Sequence, residues 1–175
     1  MNKREIDGLL YLISQGDNRA FEKLYLETKR GVYAFLSTYL TNYADCEDAM
    51  QDVYMKIKTC ISQYRVGSNG LAWILQIAKN TALNELRKRT YRTQNYTQTE
   101  EESVIDVAVL RDSITDAMNR VLSDEEKRLI VLHVIWSYKH KEIAKMLNCP
   151  LGTVTSKYKR AVEKLKKYLK EEERK

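Results

Sequence analysis

The chain has 175 residues, a formal net charge of +6 and a sequence pI near 9.1, a length that suits one domain or two small ones and a charge that favours an anionic partner such as nucleic acid. One Pro, six Gly and helical periodicity nearly throughout imply an all-α protein. No apolar run reaches the ~20 residues of a membrane span, and the start MNKREIDG is too polar for a signal peptide, so a cytoplasmic protein without membrane insertion is expected.

Ile6, Leu9, Leu10 and Ile13 predict a first amphipathic helix that stops near Gly16, a residue suited to a left-handed terminus. Asp17 is placed to cap a longer second helix with Phe21, Leu24, Tyr25, Val32, Phe35, Leu36, Tyr39 and Leu40 facing inward. Asn42 is placed to cap a third, whose inner stripe is Ala49, Met50, Val53, Tyr54, Ile57 and Ile61. Asp45, Glu47 and Asp48 crowd the early turns of that helix, where carboxylates interact favourably with the helix dipole. The acidic face is open to two readings: dipole compensation and solubility, or a docking surface for a basic partner.

Gln63 to Gly70, QYRVGSNG, breaks the helical pattern and reads as an exposed loop. A fourth helix follows from Leu71 to about Arg89, with Trp73, Ile74, Ile77, Ala78, Ala82 and Leu86 inward. Gln76, Asn80, Asn84 and Lys88 form an i, i+4 stripe on it, flanked by Lys79 and Arg87. Amides can bond base edges and cations can hold phosphates, although a solvated face would carry the same pattern. Composition changes at Thr90. Thr90 to Ser103, TYRTQNYTQTEEES, lacks an apolar period and reads as a flexible linker between modules at 1–89 and 104–175.

The second module opens with a helix around Val107 to Leu122 that uses Leu110, Ile114, Ala117, Met118 and Val121. Ser123 and Glu126 match a capping box and start another helix, which buries Leu129, Leu132 and Trp136 and ends near Ser137. Trp136 and Tyr138 read as core residues rather than base-stacking ones. From Tyr138 to Leu169 the chain reads as two helices joined by a tight turn. Ile143, Ala144 and Leu147 share a face of the first; Asn148 tolerates the left-handed conformation that ends it, Cys149 is an apolar plug, and Pro150 suits the start of the second. That second helix buries Val154, Tyr158, Ala161 and Leu165 and presents Thr153, Ser156, Lys157 and Arg160, with Thr155 and Lys159 completing the set assigned to DNA. An ordinary helical hairpin is the competing reading. Between Lys139 and Lys170 the only carboxylates are Glu142 and Glu163, and this one-signed charge favours a helix-turn-helix whose second helix enters the major groove.

Cys46, Cys60 and Cys149 are widely separated and read as reduced residues in or near cores. They form no metal-ligand spacing with His133 and His140, so neither metal nor cofactor is expected. Neither a phosphate-binding Gly-rich loop nor a nucleophile elbow is present, and nothing nominates an enzyme.

Three segments together resemble a known family. Cys46-Glu47-Asp48-Ala49-Met50-Gln51-Asp52-Val53-Tyr54 resembles the acidic helix of the extracytoplasmic-function (ECF) group of the sigma-70 family of bacterial RNA polymerase sigma factors. Ala72 to Asn80, continued by Leu86-Arg87-Lys88-Arg89, is similar to the family's next helix, and Glu142-Ile143-Ala144 with Gly152-Thr153-Val154, Ser156 and Arg160 to its terminal helix-turn-helix. The resemblance implies that Glu47, Asp48, Gln51, Asp52 and Tyr54 dock on the clamp helices of the RNA polymerase β′ subunit. It implies that Tyr64, Ser68, Asn69, Gln76, Asn80, Asn84, Arg87 and Lys88 capture the downstream promoter element as single-stranded DNA. Thr153, Thr155, Ser156, Lys157, Lys159 and Arg160 would read the upstream element while the second module leans on the β flap, and an anti-sigma factor would hold the protein inactive. Family helices often carry cations where Thr155 and Val162 stand and Arg where Lys157 stands. The competing function is a free-standing helix-turn-helix transcriptional regulator that binds duplex DNA alone.

Overall fold

Side-chain caps and left-handed residues set where the helices begin and end. The computed structural model of the protein describes residues 3–95, 113–172 and 174. Contacts divide the chain into two compact units, Met1–Glu102 and Ser103–Lys175, and every regular element among the described residues is helical.

In the first unit, α1 (Lys3–Ser14) ends where Gly16 takes a φ of +88°, and Asp17 N–H reaches back to the Leu12 carbonyl at 3.1 Å. Asp17 then caps α2 (Asn18–Leu36), its Oδ1 accepting from Arg19 and Ala20 N–H at 2.8 and 3.1 Å. Asn42 does the same for α3 (Tyr43–Thr59), accepting from Ala44 N–H at 2.8 Å. A short 3₁₀ turn at Ile61–Gln63 leads into the loop, and α4 (Gly70–Asn95) follows. The helix does not stop at Arg89: Thr90 Oγ1 bonds the Leu86 carbonyl at 3.0 Å and the backbone stays helical to Asn95. The remainder of the expected linker, 96–103, lies outside the described residues.

The four helices pack as a bundle, α1 on α2 and α4, α2 on α3 and α4, and α3 on α4. Leu10, Leu24, Leu36, Ile57, Ile74 and Leu75 are fully buried in its core, each such side chain contributing about 1.5–3 kcal/mol of transfer free energy. The second helix is shorter than its apolar pattern: it closes at Leu36, and Leu40 is buried from the turn that follows. Phe21, Tyr25 and Tyr39 are only half-buried.

The second unit contains α5 (Ser113–Val121), α6 (Asp124–Ile130), α7 (His140–Met146) and α8 (Leu151–Glu172). Val107 and Leu110 lie outside the described residues. The capping box forms as expected, with Ser123 N–H donating to Glu126 Oε2 at 2.9 Å and Glu126 N–H to Ser123 Oγ at 3.4 Å. Leu122, Ile130 and Ala161 make a core against which Met118, Val121, Tyr158, Val162 and Leu165 pack. Val162 therefore stands where the family often carries a cation because it covers this core.

One feature of this unit departs from the expected pattern. After Ile130 the helix widens into a π-helical turn, Val131–Ile135, with Trp136 N–H bonded to the Val131 carbonyl at 3.2 Å. Ser137 then takes a φ of 53°, and Tyr138 is buried. The wider turn leaves Val134 and Ile135 exposed and Trp136 half-buried rather than in the core.

Candidate nucleic-acid interface

On α3 the buried positions Cys46, Ala49, Val53, Tyr54 and Ile57 turn toward the bundle. This leaves 47, 48, 51 and 52 as neighbours on the outward face, as 3.6-residue periodicity demands. Asp48, Gln51 and Asp52 are exposed; Glu47 is half-buried and accepts the Tyr43 hydroxyl at 2.5 Å. Met55 continues the stripe and is 60% exposed. Sequence reasoning passed over it, although its spacing from Asp48, Gln51 and Asp52 was the available signal. Tyr54 does not belong to this surface. Its ring is 4% exposed, edge-on to Tyr25 at 4.8 Å, and its hydroxyl meets Thr28 Oγ1 at 2.7 Å. Burial pushes that phenol well above its usual range despite the Thr28 bond. Cys46 is equally internal, its thiol pushed up to about 12 by burial and then by the Asp45 charge.

The loop between the 3₁₀ turn and α4 exposes Arg65, Val66, Gly67, Ser68 and Asn69. Gly67 has a φ of +82°, and Ser68 N–H closes on the Arg65 carbonyl at 3.0 Å. Asn69 is partly occupied as a cap, its Oδ1 accepting Ala72 N–H at 3.1 Å. Tyr64, assigned to DNA, is 7% exposed; its hydroxyl donates to Asp7 Oδ1 at 2.7 Å and its ring lies 5.3 Å from Trp73. Burial, followed by the Asp7 bond, pushes this phenol up to about 12. As placed, it cannot stack on a base. The α4 stripe is open to solvent: Gln76, Asn80, Asn84, Arg87 and Lys88 are all exposed. Gln76 Nε2 donates to Asn80 Oδ1 at 2.9 Å, which lines the amides up along the helix, while Lys88 pairs with Glu85 at 2.6 Å.

In the second unit α7 ends at Asn148, whose φ is 50°, with Cys149 N–H bonded to the Ala144 carbonyl at 3.0 Å. The Pro150 carbonyl accepts Thr153 and Val154 N–H at 3.0 and 3.2 Å and starts α8. Val154 and Ala161 point inward. The solvent face carries Gly152, Thr155, Ser156, Lys159 and Arg160. Thr153 and Lys157 are half-buried instead, and Lys157 forms an ion pair with Glu125. The first turn of α6 lies alongside α8, so that Glu125 meets Lys157 and Glu126, itself part of the capping box, meets Lys164 at 2.8 Å. Thr155 Oγ1 and Ser156 Oγ bond the helix carbonyls of Leu151 and Thr153 at 3.0 and 3.1 Å. His133, His140 and Tyr158 cluster with ring centroids 4.7 to 4.9 Å apart, joining the π-helical turn, α7 and α8. Burial, then the neighbouring His133, lowers the His140 pKa. No group of three or more His, Cys, Asp or Glu among the described residues is placed to hold a metal ion.

The first unit thus carries two exposed polar surfaces and the second one basic helix-turn-helix. Residues 24–92 match the sigma-70 region 2 model and residues 112–165 the sigma-70 region 4 model. The RNA polymerase sigma-H factor of Pseudomonas aeruginosa is 25% identical over 177 residues, spanning 92% of each chain. The ECF RNA polymerase sigma-E factor of Haemophilus influenzae is 28% identical over 171 residues, spanning 89% of this chain and 90% of that one. The chain belongs to the ECF group of the sigma-70 family. Two solved structures share the fold. The sigma factor RpoE of Bartonella quintana, crystallised with the anti-sigma factor NepR, aligns with a TM-score of 0.64 at 24% identity over 86% of this chain and 96% of that one. CnrH, in complex with the cytosolic domain of CnrY, aligns at 0.63 and 19% identity over 95% and 97%. No helix of this sigma factor, among the described residues, is long and apolar enough to cross a membrane.

Proposed function

We propose that this sigma factor binds core RNA polymerase through the outward face of α3 and gives the enzyme its choice of promoter. Glu47, Asp48 and Asp52 supply charge complementarity to the β′ clamp helices, Gln51 a hydrogen-bonding amide beside them, and Met55 an apolar centre that loses water on docking. Tyr54 supports that face from beneath. Residues 65–69 and the stripe of Gln76, Asn80, Asn84, Arg87 and Lys88 hold the downstream element as unstacked single strand. Thr155, Ser156, Lys159 and Arg160 face the upstream element in the major groove, and the second module leans on the β flap. The protein makes and breaks no covalent bonds, works in the cytoplasm, and is restrained by an anti-sigma partner, as the Bartonella quintana sigma factor is crystallised with its own.

The observation that carries this reading is the division of α3. One face is sealed into the bundle, while the other presents the exposed carboxylates of Asp48 and Asp52 and an exposed methionine. The test is run-off transcription with purified core polymerase on a promoter library. Initiation at a defined subset of promoters, dependent on the added protein, is expected. Tight duplex binding by the free protein with no effect on core polymerase would refute it.

A further inference from the structure

We infer that Asp7 is a positioning residue for promoter selection: its carboxylate fixes the shape of the 65–69 loop and thereby helps decide which downstream elements are accepted. This rests on the assignment of that loop to the downstream element. Asp7 lies on α1, outside the segment matched by the region 2 model, and far in sequence from the loop.

One oxygen, Asp7 Oδ1, accepts both the Tyr64 hydroxyl and the Gly70 N–H, each at 2.7 Å. Tyr64 is the last buried residue before the loop and Gly70 the first buried one after it. The five residues between them are all exposed, and Val66 is 61% exposed, so the loop has no apolar anchor of its own. One carboxylate thus ties its two ends to α1, beside the Arg65–Ser68 turn, the Asn69 cap and the Tyr64–Trp73 ring contact that shape it locally. Charge-assisted bonds of this kind are stronger than neutral ones. Gly70 is what allows the approach: a Cβ there would lie 2.5 Å from Asp7 Oδ1 and 2.6 Å from Leu10 Cδ1. Leu10 on α1 and Ile74 on α4 are fully buried, so α1 is packed on the bundle by apolar side chains as well as by this carboxylate.

The consequence separates recognition from folding. Losing the carboxylate loosens the joint between the loop ends and α1, and a base held in the wrong geometry is discriminated poorly even where phosphate contacts persist. Asp7 touches no DNA in this scheme; it acts through Tyr64 and Gly70.

The experiment is run-off transcription by reconstituted holoenzyme on a promoter library randomised in the downstream element, with affinity for core polymerase measured alongside. Wild type should rank the library steeply. Asp7→Ala should reduce the ratio of initiation on the best element to that on the median one by about tenfold, equivalent to roughly 1.4 kcal/mol, with core affinity unchanged. Asp7→Asn, which keeps an acceptor oxygen but not its charge, should restore part of the ratio. Tyr64→Phe, which removes only one donor, should lower it partway, and it decides the matter alone if Asp7→Ala fails to fold. An unaltered ranking in both Asp7→Ala and Tyr64→Phe, or a loss equal on every element, overturns the inference. Failure of wild type to initiate on any member would instead overturn the assignment of the loop and with it the sigma reading of that surface.

Discussion

Replacing Asp48 and Asp52 together by Lys tests the docking face directly. Both residues are exposed and one helical turn apart, so the pair reverses the charge of a continuous patch. Close charge pairs across protein interfaces couple by about 1.5 kcal/mol at the low end of measured values. Two reversed sites therefore cost at least about 3 kcal/mol, roughly a hundredfold in Kd. The fold should barely respond. Asp48 lies beyond the first turn of α3, where the helix dipole has faded, and Lys is a better helix former than Asp by a few tenths of a kcal/mol. Anisotropy titration of labelled protein against core polymerase at two salt concentrations measures the first effect, and thermal melting by circular dichroism the second. A folded double variant that binds within about threefold of wild type at low salt would remove α3 from the interface. Met55→Ala is the matched apolar probe and should weaken binding by about 1 kcal/mol or more without lowering stability.

Other outcomes follow from buried groups and from α8. Tyr54→Phe should cost about 1 kcal/mol of stability in urea titration by removing the buried bond to Thr28 Oγ1, which keeps its bond to the Leu24 carbonyl, and leave the core affinity of the folded protein intact; selective loss of affinity would return Tyr54 to the surface. Glu126 is drawn upward by burial, but the bonds from Lys164 and from Ser123 outweigh this and hold its carboxyl below the ordinary range. Its stabilising effect is thus present above the unfolded value of about 4.3 and lost as pH falls through the lower folded one. Glu126→Gln should therefore be less stable than wild type at pH 7, with the gap closing in strong acid. Trp136 fluorescence in a Trp73→Phe background reports on this unit, and a gap independent of pH would contradict the assignment. Arg160→Ala should weaken upstream-element binding by the holoenzyme, either lowering the salt slope by about one if the guanidinium meets phosphate or costing roughly 1–3 kcal/mol at one base if it reads an edge. No change in slope or preference would exclude Arg160 from the contact.

Where local chemistry decides the structure, the sequence was readable. Asp17, Asn42 and the Ser123–Glu126 pair start helices because their side chains can accept orphan N–H groups, and Asn148 ends one because it tolerates positive φ. Tyr54 carried two incompatible readings, inward by its spacing and outward by family resemblance, and the spacing prevailed because the ring fills the gap beside Phe21 and Tyr25. Tyr64 and Asp7 could not be paired from the sequence: 57 residues separate them and the bond exists only once α1 has docked. Lys157 was equally opaque, since its partner Glu125 comes from another helix. The end of α4 was missed for the opposite reason: a polar composition that suits a linker is also compatible with a helix extended from a well-packed start.

The widened turn at Val131–Ile135 holds one residue more than an ordinary helical turn. The surplus is taken up inside the turn, so its removal would exchange the bond from Trp136 N–H to the Val131 carbonyl for a regular one while leaving the aim of the following chain nearly unchanged. Descendants of this chain can therefore gain or shed that residue and still keep the carboxylates of α6 within reach of Lys157 and Lys164.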